Sequence, residues 1–251
     1  MINISFAGCG FHGIYHIGVI SCLQRYGKNI MKDIRGYGGA SAGSLVAAML
    51  ATSTPLEHGL QFTTDLADKV RGHFLGALNP SFDLMQHLDD ALDTFLPHDA
   101  HLRASGRLYV SISSFPQCKN SIVSQFDSRD DLIQALLASC YIPIYGGTKV
   151  PIYKGKKWVD GGFSDNLPIP ETGKTIRVSP FCGDFDICPE DKQSLNLFTA
   201  EVVKNMKIVI NIRNMERGLQ ALFPPSKKDL QRIYMHGYND ALTFLGIYVS
   251  R

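Results

Sequence analysis

A chain of 251 residues with 45% apolar and 19% charged side chains has enough material to bury a substantial core, as one large α/β unit or two small ones. Its net charge is only +2 and its tightest basic groups are Lys154/Lys156/Lys157 and Lys227/Lys228, which excludes a nucleic-acid groove. No apolar run reaches the ~18 residues of a bilayer span, and the first segment, broken by Gly8, Gly10, Gly13 and Gly18, lacks the charged start of a signal peptide, so any membrane contact is expected to be peripheral.

In chain order, Ile2–Ala7 reads as a strand closed by the glycine-rich turn Gly8-Cys9-Gly10-Phe11-His12-Gly13. Apolar residues at helical intervals from Ile14 to Tyr26 predict a helix, and Ile34–Gly38 a second strand. Gly39-Ala40-Ser41-Ala42-Gly43 follows at once and leads into a helical stretch, Ser44–Leu50. Strand, glycine turn and helix, twice over, is a parallel α/β pattern.

The middle, from Pro55 to Pro97, reads as mainly helical. Phe82, Met85, Leu88, Leu92 and Phe95 share one face, while Asp83, Asp89, Asp90 and Asp93 fall largely on others, as a solvated face rather than a ligand set. Leu108–Ser113 and Ile122–Gln125 alternate like strands around a loop containing Pro116, Lys119 and Asn120. Ser128, with Asp130 and Asp131 behind it, predicts the start of a helix that stops before Pro143. Trp158-Val159-Asp160-Gly161-Gly162 ends a strand in a sharp turn, and Thr175–Val178 is a further strand. After about Ser179 the α/β pattern gives way to a proline-containing extension. The expected division is a core over residues 1–179 and a mainly helical extension over residues 180–251 packed on it.

Six cysteines show no C-x-x-C spacing and no histidine at zinc-ligand intervals, which points to no metal site and to free thiols in a reducing, cytoplasmic compartment.

Gly39-x-Ser41-x-Gly43 between a strand and a helix is the nucleophile-elbow arrangement, with Ala40 and Ala42 as the small residues beside the serine. It sets a hydroxyl at the start of a helix, whose unpaired N–H groups favour a developing oxyanion. Gly8-x-Gly10-x-x-Gly13 has the spacing of a dinucleotide fingerprint, but that reading needs an acid after the second strand, and Asp33 precedes it. The turn is therefore read as an oxyanion loop, opening at the same sheet edge as the elbow. None of the eight histidines sits in a motif: His12 is in the glycine loop, His16 on the next helix, His98 and His101 beside a loop, and His236 in the amphipathic stretch Leu230–Leu245. Asp160-Gly161-Gly162 is by itself a turn signal.

Together, the glycine loop, the elbow about thirty residues later and the downstream Asp-Gly-Gly resemble the patatin-like phospholipase family. The likeness extends beyond motifs: INISFAGCGFHGIYHIGV, GASAGSLVAA, KWVDGGFSDNLPI, VSPFCGDFDICPED and ALFPPSKKDLQRIYMHGYNDALTFL are similar to the animal branch containing adiponutrin and adipose triglyceride lipase, and to its short retinyl-ester and triacylglycerol hydrolase type. The resemblance implies a three-layer α/β/α fold with a mostly parallel central sheet, and a lipid acyl-ester hydrolase without cofactor or metal. It implies Ser41 as nucleophile, Asp160 as proton acceptor, and Gly8, Cys9, Gly10, Phe11, His12 and Gly13 as the oxyanion loop. Gly161 and Gly162 complete its Asp-Gly-Gly motif. His12 stands where plant patatins carry a basic residue.

The implied partners are a lipid ester and a lipid-droplet or membrane surface, with no nucleic acid. Phe11, Ile14, Tyr15, Ile142, Pro143, Ile144 and Tyr145 suit the edge of an acyl site or plain core, and Leu219–Pro225 with Lys227 and Lys228 suit a lipid surface or core packing. Phospholipase A activity, acyl transfer, a Ser–Asp–His triad using His236, and a lipid-binding regulator with little turnover stay open as alternatives.

Overall fold

A computed structural model describes residues 1–79, 81–170, 172–191 and 197–246. Strand β1 (Ile2–Phe6) runs through the glycine turn into helix α1 (Gly13–Tyr26); a short α2 (Lys28–Asp33) then leads to β2 (Ile34–Gly39) and α3 (Ala42–Thr52). Because β1 and β2 pair in parallel, the two glycine turns at their carboxyl ends face the same edge. Helices α4 (Leu56–Gly72), α5 (Leu84–Phe95) and α6 (Ala100–Ala104) precede β3 (Leu108–Ser114), which pairs in parallel with β2 and antiparallel with β4 (Asn120–Val123). Helix α7 (Arg129–Cys140), the two-residue β5 (Ile152–Tyr153), β6 (Lys156–Asp160) and β7 (Lys174–Val178) complete the main sheet.

That sheet has seven strands in the order β5-β6-β3-β2-β1-β7, with β4 also on β3. The β3-β2-β1-β7 ladder is parallel and β4, β5 and β6 are antiparallel, so the sheet is mostly parallel with helices on both sides, as predicted. Ser128 caps α7 as expected, its hydroxyl accepting from the Asp131 amide at 3.1 Å. β4 starts at Asn120, two residues before the predicted strand, since Asn120 is drawn into register opposite Ser113.

Beyond Ser179 the described residues hold more than helices. A hairpin of β8 (Phe198–Val203) and β9 (Met206–Ile210) precedes α8 (Ile212–Leu222) and α9 (Lys227–Phe244). Such short half-exposed segments carry too few residues to separate a period of 2 from one of 3.6. Helix α9 crosses α1 at two glycines: a Cβ on Gly18 would collide with the Tyr234 carbonyl, and one on Gly237 with the Tyr15 carbonyl. Leu230, Ile233, Ala241 and Leu242 are buried in the same core cluster as α1, and Tyr15 Oη donates to Asp240 at 2.6 Å.

Candidate active site

The elbow forms because glycine permits two backbones to touch. A Cβ on Gly43 would be driven into the Phe6 carbonyl, so the first turn of α3 rests directly on the end of β1. Ser41 itself takes φ 51°, ψ −131°, a conformation that L-residues hold only where the surroundings over-determine it. Those surroundings are explicit. The Ser41 amide donates to Ser139 Oγ at 2.9 Å, whose hydroxyl donates onward to the Ser111 carbonyl at 2.7 Å, and the Ser44 hydroxyl donates to the Ser41 carbonyl at 2.7 Å. Two helices and a strand thus fix one residue.

Asp160 ends β6 opposite Ile112. Its amide donates to the Tyr141 carbonyl at 2.8 Å, and its carbonyl accepts from the Ser113 hydroxyl at 2.7 Å. Asp160 is 5% exposed, its carboxylate accepts the Gly162 amide at 2.7 Å, and the nearby Ser41 hydroxyl favours its charged form. Burial pushes the carboxyl up to about 6, against the pull of the Ser41 hydroxyl and the Gly162 amide. Ser41 and Asp160, 119 residues apart in sequence, line the same cavity.

The glycine loop splits by what its amides do. Gly8 donates to Asn166, His12 to the Cys9 carbonyl and Gly13 to the Gly10 carbonyl. The amides of Cys9, Gly10 and Phe11, and that of Ala42 at the start of α3, have no acceptor among the described residues. Gly10 adopts φ +53°, and a Cβ there would strike the Ala221 carbonyl, so α8 lies against the loop. His12 is buried, with Nε2 3.3 Å from Gln220 Oε1; burial first, then the nearby Arg217 and His236, lower its pKa to about 4. His12 is thus a buried imidazole held below its ordinary pKa at the position where the resemblance to plant patatins implies a basic residue.

All of this opens on one cavity of about 410 Å³ lined by Ser41, Asp160, the glycine loop and a mainly apolar wall from α3, α4, α5 and α8. Met49, Phe62, Leu66, Leu88 and Leu92 form much of that wall, and among the described residues no lysine or arginine contributes to it. The expected apolar edge divides. Phe11, Ile142 and Tyr145 line the cavity, Ile14 and Tyr15 are buried core on α1, and Ile144 points outward at 79% exposure. His236 is exposed on α9 and does not line the cavity; His58, on α4, is the one histidine in that lining. Among the described residues no group of His, Cys, Asp and Glu converges as a metal site; Asp83 instead caps α5, accepting from Gln86, and Asp93 pairs with Arg129.

The model of the patatin-like phospholipase family matches residues 4–172, about two thirds of the chain, which includes the glycine loop, Ser41 and Asp160 but not α8. The chain belongs to that family. It is 46% identical over 245 residues to human patatin-like phospholipase domain-containing protein 4, covering 97% of this chain and 96% of that one. Human patatin-like phospholipase domain-containing protein 2 is 45% identical over 97% of this chain, which spans 48% of that relative. The human 1-acylglycerol-3-phosphate O-acyltransferase PNPLA3 is 39% identical over 97% of this chain, which spans 50% of it. Among solved structures, VipD from Legionella pneumophila superposes with a TM-score of 0.51 at 14% identity, covering 98% of this chain and 66% of that one, a likeness of fold.

Several groups at this patatin-like site carried no sequence signal. Ser139 and Cys140 sit at the end of α7, the Cys140 thiol pushed up by burial and by the Asp160 carboxylate against the pull of the Ser44 and Ser41 hydroxyls. Asn166 and Met206 line the cavity from the loop after Asp160 and from β9.

Proposed function

We propose that this protein hydrolyses neutral lipid esters, of the triacylglycerol or retinyl-ester type, with Ser41 as nucleophile and Asp160 as its base. The observation that carries the reading is Ser41 on its strained turn and the buried Asp160 carboxylate lining one apolar cavity, with the Ser41 hydroxyl favouring the charged carboxyl. An aspartate at its ordinary pKa of about 3.9 is a weak base for a hydroxyl, and desolvation raises its basicity without a histidine. Ser41 Oγ attacks the ester carbonyl as Asp160 takes its proton; the Cys9, Gly10, Phe11 and Ala42 amides are the free donors for the oxyanion, each well-aimed one worth about 3 kcal/mol. The tetrahedral intermediate collapses, the leaving alkoxide takes the proton from Asp160, and water repeats the cycle on the acyl-enzyme.

An apolar wall without a cation favours acyl chains on a neutral backbone over a phosphate headgroup. Acyl transfer is the second reading: a relative 39% identical carries an O-acyltransferase name, and an acceptor hydroxyl in place of water completes the same cycle. Helix α8 supports a peripheral approach to substrate. Its Gly218, Ala221 and Leu222 line the cavity, while Ile212, Met215 and Leu219 present an outward apolar stripe. No helix among the described residues is long and apolar enough to cross a membrane. We place α8 against the lipid surface, with the cavity mouth beneath it.

A fluorophosphonate is expected to label Ser41 alone. Ser41→Ala should abolish labelling and ester hydrolysis, and Asp160→Asn should lower turnover by about 10³-fold or more with the circular dichroism spectrum retained. Labelling that persists in Ser41→Ala moves the nucleophile elsewhere.

A further inference from the structure

Asn166 is 6% exposed, and its side-chain amide grips both ends of Gly8. Oδ1 accepts from the Gly8 amide at 3.1 Å while Nδ2 donates to the Gly8 carbonyl at 3.1 Å and meets Met206 Sδ at 2.7 Å. The Asn166 main-chain carbonyl also accepts from the Gly8 amide at 3.3 Å. Gly8 stands beside the elbow: a Cβ there would lie 3.1 Å from the Ser41 Cβ.

A trans peptide is planar, so the carbonyl of residue 8 and the N–H of residue 9 point in opposite directions. Holding the Gly8 carbonyl toward Asn166 therefore aims the Cys9 N–H away from Asn166. That N–H has no acceptor among the described residues, and Cys9, Ser41 and Asn166 line the same cavity. We infer that Asn166 is a positioning residue, which locks the Gly8–Cys9 peptide so that the Cys9 amide is held for the oxyanion formed on attack by Ser41. The inference rests on Ser41 being the nucleophile. Only a carboxamide supplies both a donor and an acceptor in this shape. Leucine keeps the volume and loses both bonds. Aspartate keeps the acceptor for the Gly8 amide, turns the second contact into oxygen against oxygen, and brings a charge near Asp160. The Asn166 and Asp160 Oδ1 atoms stand 2.8 Å and 3.0 Å from the point where a Gly162 Cβ would be.

The test compares Asn166→Leu and Asn166→Asp with the unaltered protein and with Lys204→Ala, which removes a neighbouring ion pair to Asp165 without touching Gly8. A short-chain chromogenic ester reports kcat and KM, a fluorophosphonate the labelling rate of Ser41, and thermal melting the fold. The expected result is a loss of about 100-fold in kcat and in labelling rate for both Asn166 variants, with KM little changed, the scale of one oxyanion donor. In Asn166→Asp the rising limb of the kcat/KM profile should also move to higher pH, because a second carboxylate disfavours the charged form of Asp160. Lys204→Ala should keep the unaltered kcat. Unaltered kcat and labelling in whichever Asn166 variant keeps its melting transition overturns the inference, as does a loss confined to KM or matched by Lys204→Ala. Failure of the underlying reading looks different: Ser41→Ala would then still be labelled, whatever Asn166 does.

Discussion

A base must be deprotonated to work, and burial sets where Asp160 loses its proton. With its pKa pushed up to about 6, kcat/KM for a neutral ester should climb about tenfold per pH unit below that value and level off above it. The sign follows from the role: the charged carboxylate is the active form, so acid removes activity. A histidine base with an ordinary pKa of about 6.5 would give a similar limb, so the profile needs a partner experiment. His236→Ala is expected to change kcat by less than about threefold, against the 10²–10⁴-fold loss typical of a removed general base. A collapse of turnover in folded His236→Ala would restore the triad. At this scale the elbow at Ser41 and the turn after Asp160 were legible, because Gly39 and Gly43 flank the one and Gly161 and Gly162 follow the other. The pairing of the two residues came only with the family resemblance. Ser139, Cys140 and Asn166 were not legible, because a serine, a cysteine or an asparagine carries no mark of the distant backbone group that it will hold.

Among the elements, α8 has two faces with two jobs. Arg217 donates to both carboxylate oxygens of buried Asp191 at 2.8 Å, which pins the helix on its polar side, and Tyr145 Oη donates to the Leu222 carbonyl at 2.6 Å at its end. Ile212 and Leu219 stay outward, at 69% and 63% exposure. If α8 rests on lipid, Ile212→Glu/Leu219→Glu should lower hydrolysis of emulsified substrate about tenfold or more while leaving a soluble short-chain ester and the melting temperature almost unchanged, since the positions are exposed in water. Equal loss on both substrates would assign the stripe to the cavity instead. The apolar periodicity of the Phe82–Phe95 stretch was plain in the sequence, but whether such a face packs solidly or walls a cavity depends on what stands opposite. Here Met85, Leu88 and Leu92 meet α3 and α4 across open space.

For the whole molecule, the segment after Ser179 is expected to belong to one cooperative unit with the sheet. Leu230, Ile233 and Leu242 of α9 are buried with α1, and large apolar side chains contribute about 1.5–3 kcal/mol each on burial. Their sum is comparable to a domain's entire net stability of about 5–15 kcal/mol. A chain ending at Ser179 should therefore be insoluble or give no cooperative melting transition, whereas the whole chain melts as one. A soluble, cooperatively melting 1–179 fragment would make the division a true domain boundary.

Sequence alone determined the parallel α/β plan, the strand–turn–helix placement of Ser41 and the turn after Asp160, because hydrophobic period and obligatory glycines are local properties written in consecutive residues. Only the tertiary structure decided that Asp160 is buried on the same cavity as Ser41, that the Gly8 amide is already taken by Asn166, that the β8–β9 hairpin exists and that α3, α4, α5 and α8 enclose a cavity. All but the hairpin, a local pairing too short for its period to be read, depend on which atoms end up opposite one another across more than a hundred residues of chain, or on an empty volume that no residue encodes by itself. Contact at a distance is a property of the packed whole.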